Sequence, residues 1–261
     1  MIAAVRSELR KMFTTRLWWG MAVGVALSAV ALTALFTALA GNEGLPPLDA
    51  PNAVSQAYTS GLTFAYLIVL AVGIIAIGGE YRHQTMSSSY LSVPRRARLF
   101  AAKLVAAAVI GAVYGVVYVV AALATGIPII LLRGFDPFPP GDTVARSFAM
   151  SVLALVLWAL IGLGLGSLIK NQIAALLIGV GVAWIGEQLI LLGLVALGWG
   201  RVGAFLPGMS TVALVQEPLT VEGMPFDFEY LGWWQAALVL ATYALVLAGL
   251  GVFRASREDV S

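Results

Sequence analysis

Cysteine is absent from the 261 residues, which rules out both a disulfide framework and a thiolate-ligated metal. There is one histidine, His83. It argues against intramembrane metalloproteases, which need clustered His and carboxylate ligands, and against Ser-His proteases, which need a His beside a membrane-embedded serine. His83 itself falls in a charged interval and reads as a solvated or partner-contacting side chain. Charge is scarce: 11% of residues are Asp, Glu, Lys or Arg, against 61% hydrophobic. So little polar surface cannot coat a soluble globule of this size, and the chain belongs in a membrane. No G-x-x-x-x-G-K-[ST] phosphate loop occurs. The run Gly162-Leu-Gly-Leu-Gly166 lies inside an apolar stretch and not between a strand and a helix, so it reads as a helix face of small residues for close packing. The expectation is a chain that is not an enzyme, with no metal or cofactor of its own and no nucleic-acid partner.

What the chain has in abundance is long apolar runs. Residues 2 to 13 place Val5, Leu9, Met12 and Phe13 on one helical face, with Arg6, Glu8, Arg10 and Lys11 mainly elsewhere. This predicts an amphipathic helix, within residues 1–16, lying in the membrane interface. Arg16, Trp18 and Trp19 form a boundary anchor for a first span over 17–40. Ala38-Leu39-Ala40 resembles a signal-peptidase site, but the 24 apolar residues before its end exceed a normal signal core, so the span is expected to be retained. A Pro-rich loop from Gly41 to Tyr58 precedes span two, 59–79. Span three covers 104–132, with Pro128 near its end. The turn-rich Arg133 to Arg146 segment leads to span four, 147–169, and Lys170-Asn171 turns tightly into span five, 172–199. The segment 200–230 holds Phe205, Leu206, Met209, Val212, Leu214 and Val215 around Pro207 and Gly208. It reads as short outer helices dipping back between the spans, the rival being an outer loop on the headgroups. Span six covers 231–253. The whole is one all-α integral membrane domain, since the pieces between spans are too short to hold a core.

Six spans return both termini to one side. Assigning the N-terminus, the loop after span two, Lys170 and the C-terminal tail to that side collects 12 of the 15 Lys and Arg residues. The other side receives Arg133, Arg146 and Arg201 with eight carboxylates. By the positive-inside rule the basic side is cytoplasmic. Arg95, Arg96, Arg98 and Lys103 flank span three there and are expected to hold topology and meet anionic lipid headgroups. Topology alone does not account for the polar stretch EYRHQTMSSSYLSV before them. In helical register Tyr81, Met86, Tyr90 and Val93 line one side of it, and Pro94 ends the element. A short helix on the cytoplasmic surface, continuous with span two, is a contact for a partner.

An interfacial helix with a Glu-Leu-Arg-Lys core followed by Trp, a second span ending in Gly-Glu-Tyr-Arg-His, a Pro-Arg-Arg segment and a Lys entering span three together resemble the permease subunits of ATP-binding-cassette exporters of the ABC-2 type. Phe205-Leu206-Pro207-Gly208 adds a looser likeness. The resemblance implies a coupling helix at 80–94, docking on a cytoplasmic ABC ATPase through Glu80, Tyr81, Arg82, His83, Met86 and Tyr90. It also implies ATP and Mg on that partner and not on this chain. Further, it implies a second permease copy or a related permease, outward transport of an amphipathic or hydrophobic substrate, and a bacterial plasma membrane. In such exporters spans two and five line the path, which makes Thr59, Thr63, Phe64, Glu187 and Gln188 candidates to face it. Glu187 stands out independently as the only carboxylate well inside a span, about 22 Å from Gln172 at 1.5 Å per residue. An intramembrane charge marks either function or a hydrogen bond to a neighbouring helix. The rival class is an ATP-independent channel or secondary transporter, which predicts broken helices at corresponding positions of an internal repeat. A third reading is a membrane anchor or sensor subunit.

Overall fold

The computed structural model of the chain describes residues 2–42, 45–82, 96–141, 143–169, 171–216 and 230–257. Among these every regular element is helical. Helix α1 covers Ile2–Phe13 and α2 Leu17–Leu39; α3 (Ala53–Thr59) and α4 (Leu62–Arg82) follow, then α5 (Arg96–Leu132) and α6 (Val144–Leu168). The fifth span begins as α7 (Gln172–Gly181), passes through one π-helical turn, Val182–Gly186, and continues as α8 (Glu187–Ala196). Two short helices, α9 (Gly200–Gly203) and α10 (Pro207–Val215), precede α11 (Trp233–Arg257). Six helices or helix pairs are long and apolar enough to cross a bilayer.

Helix α6 is the hub, packing against α4, α5 and α11. Small residues make this possible. A Cβ added at Gly162 would lie 2.2 Å from the Leu70 carbonyl of α4, and one at Gly73 would lie 2.3 Å from the Ala159 carbonyl of α6. The two backbones therefore touch, with only hydrogen between them. Gly164 faces Leu247 of α11, so the Gly162 to Gly166 run packs two neighbours at once, as expected of a small-residue face. Trp158, Tyr58, Tyr114 and Tyr118 fill the buried space between the larger gaps. Each of three tyrosine hydroxyls donates to a main-chain carbonyl: Tyr58 to Pro137, Tyr114 to Trp18 and Tyr118 to Tyr58. Buried phenols thus keep their hydrogen bonds in an apolar interior.

Several boundaries differ from those read in the sequence. The loop expected over Gly41 to Tyr58 is partly helical, because α3 occupies Ala53–Thr59 and is wholly buried. Asn52 enters it with a left-handed φ of 60°, a conformation that asparagine tolerates at a turn. Span two is thereby α3 and α4 in succession, joined at Ser60-Gly61, where a Cβ on Gly61 would meet the Ser28 carbonyl of α2 at 2.3 Å. Span three starts eight residues before 104 and runs unbroken through Pro128. Span five ends at Ala196 and not at 199, and span six extends from Trp233 to Arg257. Hydrophobicity marks where lipid contact begins, while a helix continues past that point as long as its backbone bonds are met.

Candidate functional site

Two clusters of polar side chains stand out, one near each end of α4. At its C-terminal end, Glu80 meets Lys11 of α1 and Lys103 of α5, and both lysines also hold Glu8 of α1. The Lys103 ammonium lies 2.7 Å from Glu8 Oε2 and 2.5 Å from Glu80 Oε1. Lys11 lies 2.7 Å from Glu8 Oε1 and 3.0 Å from Glu80 Oε1. Two carboxylates and two ammoniums form a charge-balanced group joining three helices. Lys103 is only 3% exposed. This corrects its assignment as a headgroup contact: it points into the bundle, because two buried carboxylates offer it more than lipid phosphate at the surface. Glu8 is likewise buried, although the apolar face of α1 predicts the opposite side for it. Lys11, with a side chain 46% exposed, closes the group from outside.

Burial by itself would push the Glu8 carboxyl up, but Lys103 and Lys11 outweigh it and hold the group below its usual value of 4.5. Burial alone would lower Lys11, and its bonds to Glu8 and Glu80 raise it above 10.5 instead. The sign for stability follows. A depressed carboxyl contributes stability that is complete above 4.5 and is lost as pH falls through the lowered folded value. We expect thermal stability in detergent to fall on acidification below about pH 4.5, with a flatter acid limb in Glu8→Gln. An equal slope in that variant would show that Glu8 is not the group responsible.

Near the other end of α4, about 21 Å away at the helical rise from Tyr66 to Glu80, the second cluster holds α10. Its N-cap residue Leu206 has no side-chain acceptor to offer. Pro207 at the first position needs none, and the next N–H, that of Gly208, donates to Glu187 Oε2 at 2.6 Å. Glu187 thus caps a helix from a distant point in the chain, and negative charge suits that helix end. A Cβ at position 208 would lie 2.6 Å from the same oxygen, so any larger residue there pushes the carboxylate out of this position. Thr211 Oγ1 donates to the Pro207 carbonyl and accepts from Trp158 Nε1 at 2.9 Å. The Trp158 ring stacks on Tyr66 with centroids 4.3 Å apart. At the far end of α10, Ser147 Oγ donates to the Val215 carbonyl at 2.7 Å and Gln216 Nε2 donates to Thr59 Oγ1 at 3.0 Å. The π turn Val182–Gly186 directly precedes Glu187. Its extra residue turns α8 relative to α7, so the carboxylate side is aimed by the π turn and not by α-helical register.

The expected site residues separate accordingly. Glu80 lies in the ionic group at the start of the coupling region; Tyr81 and Arg82 continue α4. His83, Met86 and Tyr90 fall outside the described residues. Glu187 and Thr59 are buried and hydrogen-bonded to the α10 segment. Thr63 is half-buried, whereas Gln188 is exposed. Phe64 is exposed and meets Trp184 edge-on at 6.3 Å. The segment expected to dip back is helical over 200–203 and 207–215, with Ser210, Thr211, Leu214 and Val215 buried; residues 217–229 lie outside the described part. Sequence reading missed Glu8, Lys11 and Lys103 as a unit, and Tyr66, Trp158, Thr211 and Gly208 as the seat of α10. The one available signal was the pairing of Glu8 with Lys11 three residues apart.

Compared with known protein families, the chain is similar over residues 4–186 to ABC-2 family transporter protein. Among curated proteins none matches it significantly.

Proposed function

The chain belongs to the ABC-2 family of transporter proteins, and we propose that it is the membrane-spanning permease half of an ATP-driven exporter. In this reading two copies, or one copy and a related permease, form the path. Separate cytoplasmic ABC ATPases carry ATP and Mg and drive it. The basic side, with both termini, faces the cytoplasm of a bacterial plasma membrane. The substrate is amphipathic or hydrophobic, in keeping with the few fixed charges in the spans.

The observation that carries the reading is the ionic group of Glu8, Lys11, Glu80 and Lys103. A driven permease needs a stiff connection between the segment that an ATPase pushes and the helices that rearrange. Helix α4 ends at Arg82, two residues past Glu80 and next in sequence to the segment 83–94, and Glu80 is ion-paired to α1 and α5. Force applied to that segment therefore reaches three helices together. At the opposite end Glu187 of span five and Thr59 of span two hold the α10 segment, which packs on spans four and six, as a closure of the exit.

A pull-down in mild detergent from the native host tests this, with bound proteins identified and ATP hydrolysis assayed. We expect a P-loop ATPase with the native chain and its loss when Tyr81, Arg82 and His83 are replaced by alanine. Recovery of an intact dimer without any ATPase would favour the ATP-independent channel or secondary transporter, to be tested by ion flux in liposomes.

A further inference from the structure

Gln188 is exposed on the outer half of span five and makes no hydrogen bond to any described residue. The span covers Gln172–Ala196, about 36 Å at 1.5 Å per residue against a hydrocarbon core of about 30 Å. With the span centred, Gln188 lies roughly 9 Å below the outer boundary of the hydrocarbon, too deep for its side chain to reach the headgroups. Lipid tails offer a carboxamide neither donor nor acceptor. Thr242, exposed on span six, meets the same condition by donating to the Leu238 carbonyl of its own helix at 2.7 Å. In Gln188 two N–H donors and a carbonyl are left over.

The helix that carries it is also uncovered. Helix α8 packs closely only on the π turn before it and on α9 after it. Trp184 and Leu192, four residues to either side of Gln188, are 50% and 67% exposed, and Phe64 of span two, against Trp184, widens the patch. Lipid covers the apolar part of such a face, but only a protein neighbour satisfies the amide. The amide also selects the neighbour. A charged group calls for its opposite, whereas a carboxamide is donor and acceptor at once and is its own complement. Two copies related by a two-fold axis beside Gln188 exchange two N–H···O=C bonds, residue for the same residue, as an isologous contact requires.

We propose that Gln188 joins two copies of this chain, its carboxamide paired with that of Gln188 in the second copy and Trp184, Leu192 and Phe64 packed around the pair. This rests on the reading of the chain as one of two permeases. It assigns Gln188 to holding the copies together and not to lining a water-filled path.

The test uses the full chain, expressed with two different tags in a host that lacks related permeases. Because the chain has no cysteine of its own, Gln188→Cys supplies a single thiol. In membranes treated with copper phenanthroline or a short bis-methanethiosulfonate, it should form a covalent dimer at least tenfold faster than Ile190→Cys, which is also exposed but lies on another side of the helix. The Gln188→Cys thiol should resist a water-soluble maleimide. Gln188→Leu should weaken the dimer about fivefold, measured by energy transfer between labelled copies in lipid, and Gln188→Asn should retain most of the affinity. A native melting temperature checks that Gln188→Leu folds. If the two tags do not co-purify, the pairing of copies itself fails, and the proposal with it. If they co-purify but Gln188→Cys does not crosslink, if its thiol reacts with the maleimide, or if Gln188→Leu dimerises as well as the native chain, the copies pair elsewhere and the proposal is overturned while the dimer stands.

Discussion

Lys103→Met destabilises the protein by about 3–5 kcal/mol, the cost expected when one partner of a buried ionic group is removed and the others keep their charge. Methionine matches the length and apolar character of the lysine stem, so packing is nearly conserved. What changes is that Glu8 and Glu80 are left with Lys11 alone, whose side chain is 46% exposed and screened by water. The measurement is the melting temperature in detergent, beside Lys103→Met combined with Glu8→Gln. The second change removes one of the two uncompensated charges and should recover part of the loss. If Lys103→Met melts with the native protein, the cluster is not a structural joint, and its role in transmitting force falls with it. Arg98, on the exposed side of α5, is the control; its replacement should leave stability nearly unchanged.

Glu187→Leu releases the α10 segment. The Gly208 N–H loses its one acceptor among the described residues in an apolar setting, and an unmet buried polar group costs about 1–3 kcal/mol. The remaining bonds of Thr211, Ser147 and Gln216 hold the seat in part, so the helix lifts more often and does not detach outright. The lack of native cysteine makes this directly measurable. Ser210 is fully buried on α10, and a Ser210→Cys probe should react with a membrane-impermeant maleimide only when the helix lifts. Labelling should rise about tenfold with Glu187→Leu, the equivalent of about 1.4 kcal/mol. Glu187→Gln keeps an acceptor oxygen and should fall between. If labelling is the same in all three, Glu187 does not hold the segment, and its burial must be explained by some other contact.

Both results turn on residues whose type was plain in the sequence and whose partners were not. Glu187 announced itself as a lone carboxylate in an apolar run, and the choice between a path-lining charge and a hydrogen bond to a neighbouring helix stayed open. The bond to Gly208 joins positions 21 residues apart, and the π turn just before Glu187 alters the facing that a regular helix would give it. No periodicity argument anticipates such a turn. Lys103 was misread for a related reason: a lysine at the edge of a span ordinarily meets headgroups, and only the arrival of α1 and α4 beside it turns it inward.

The sequence by itself determined the membrane setting, the six spans to within several residues, the helical class, the close-packed glycine face on the fourth span and the family likeness. Each of these follows from local composition and spacing, because a backbone in hydrocarbon must bond to itself and small residues must lie where backbones meet. The tertiary structure alone decided that α3 is buried and helical, that four charges from three helices form one neutral group, and that α10 is clasped at both ends. Those depend on which helices stand side by side. Ion pairs such as Lys103 to Glu8, 95 residues apart, exist only after packing has chosen the neighbours.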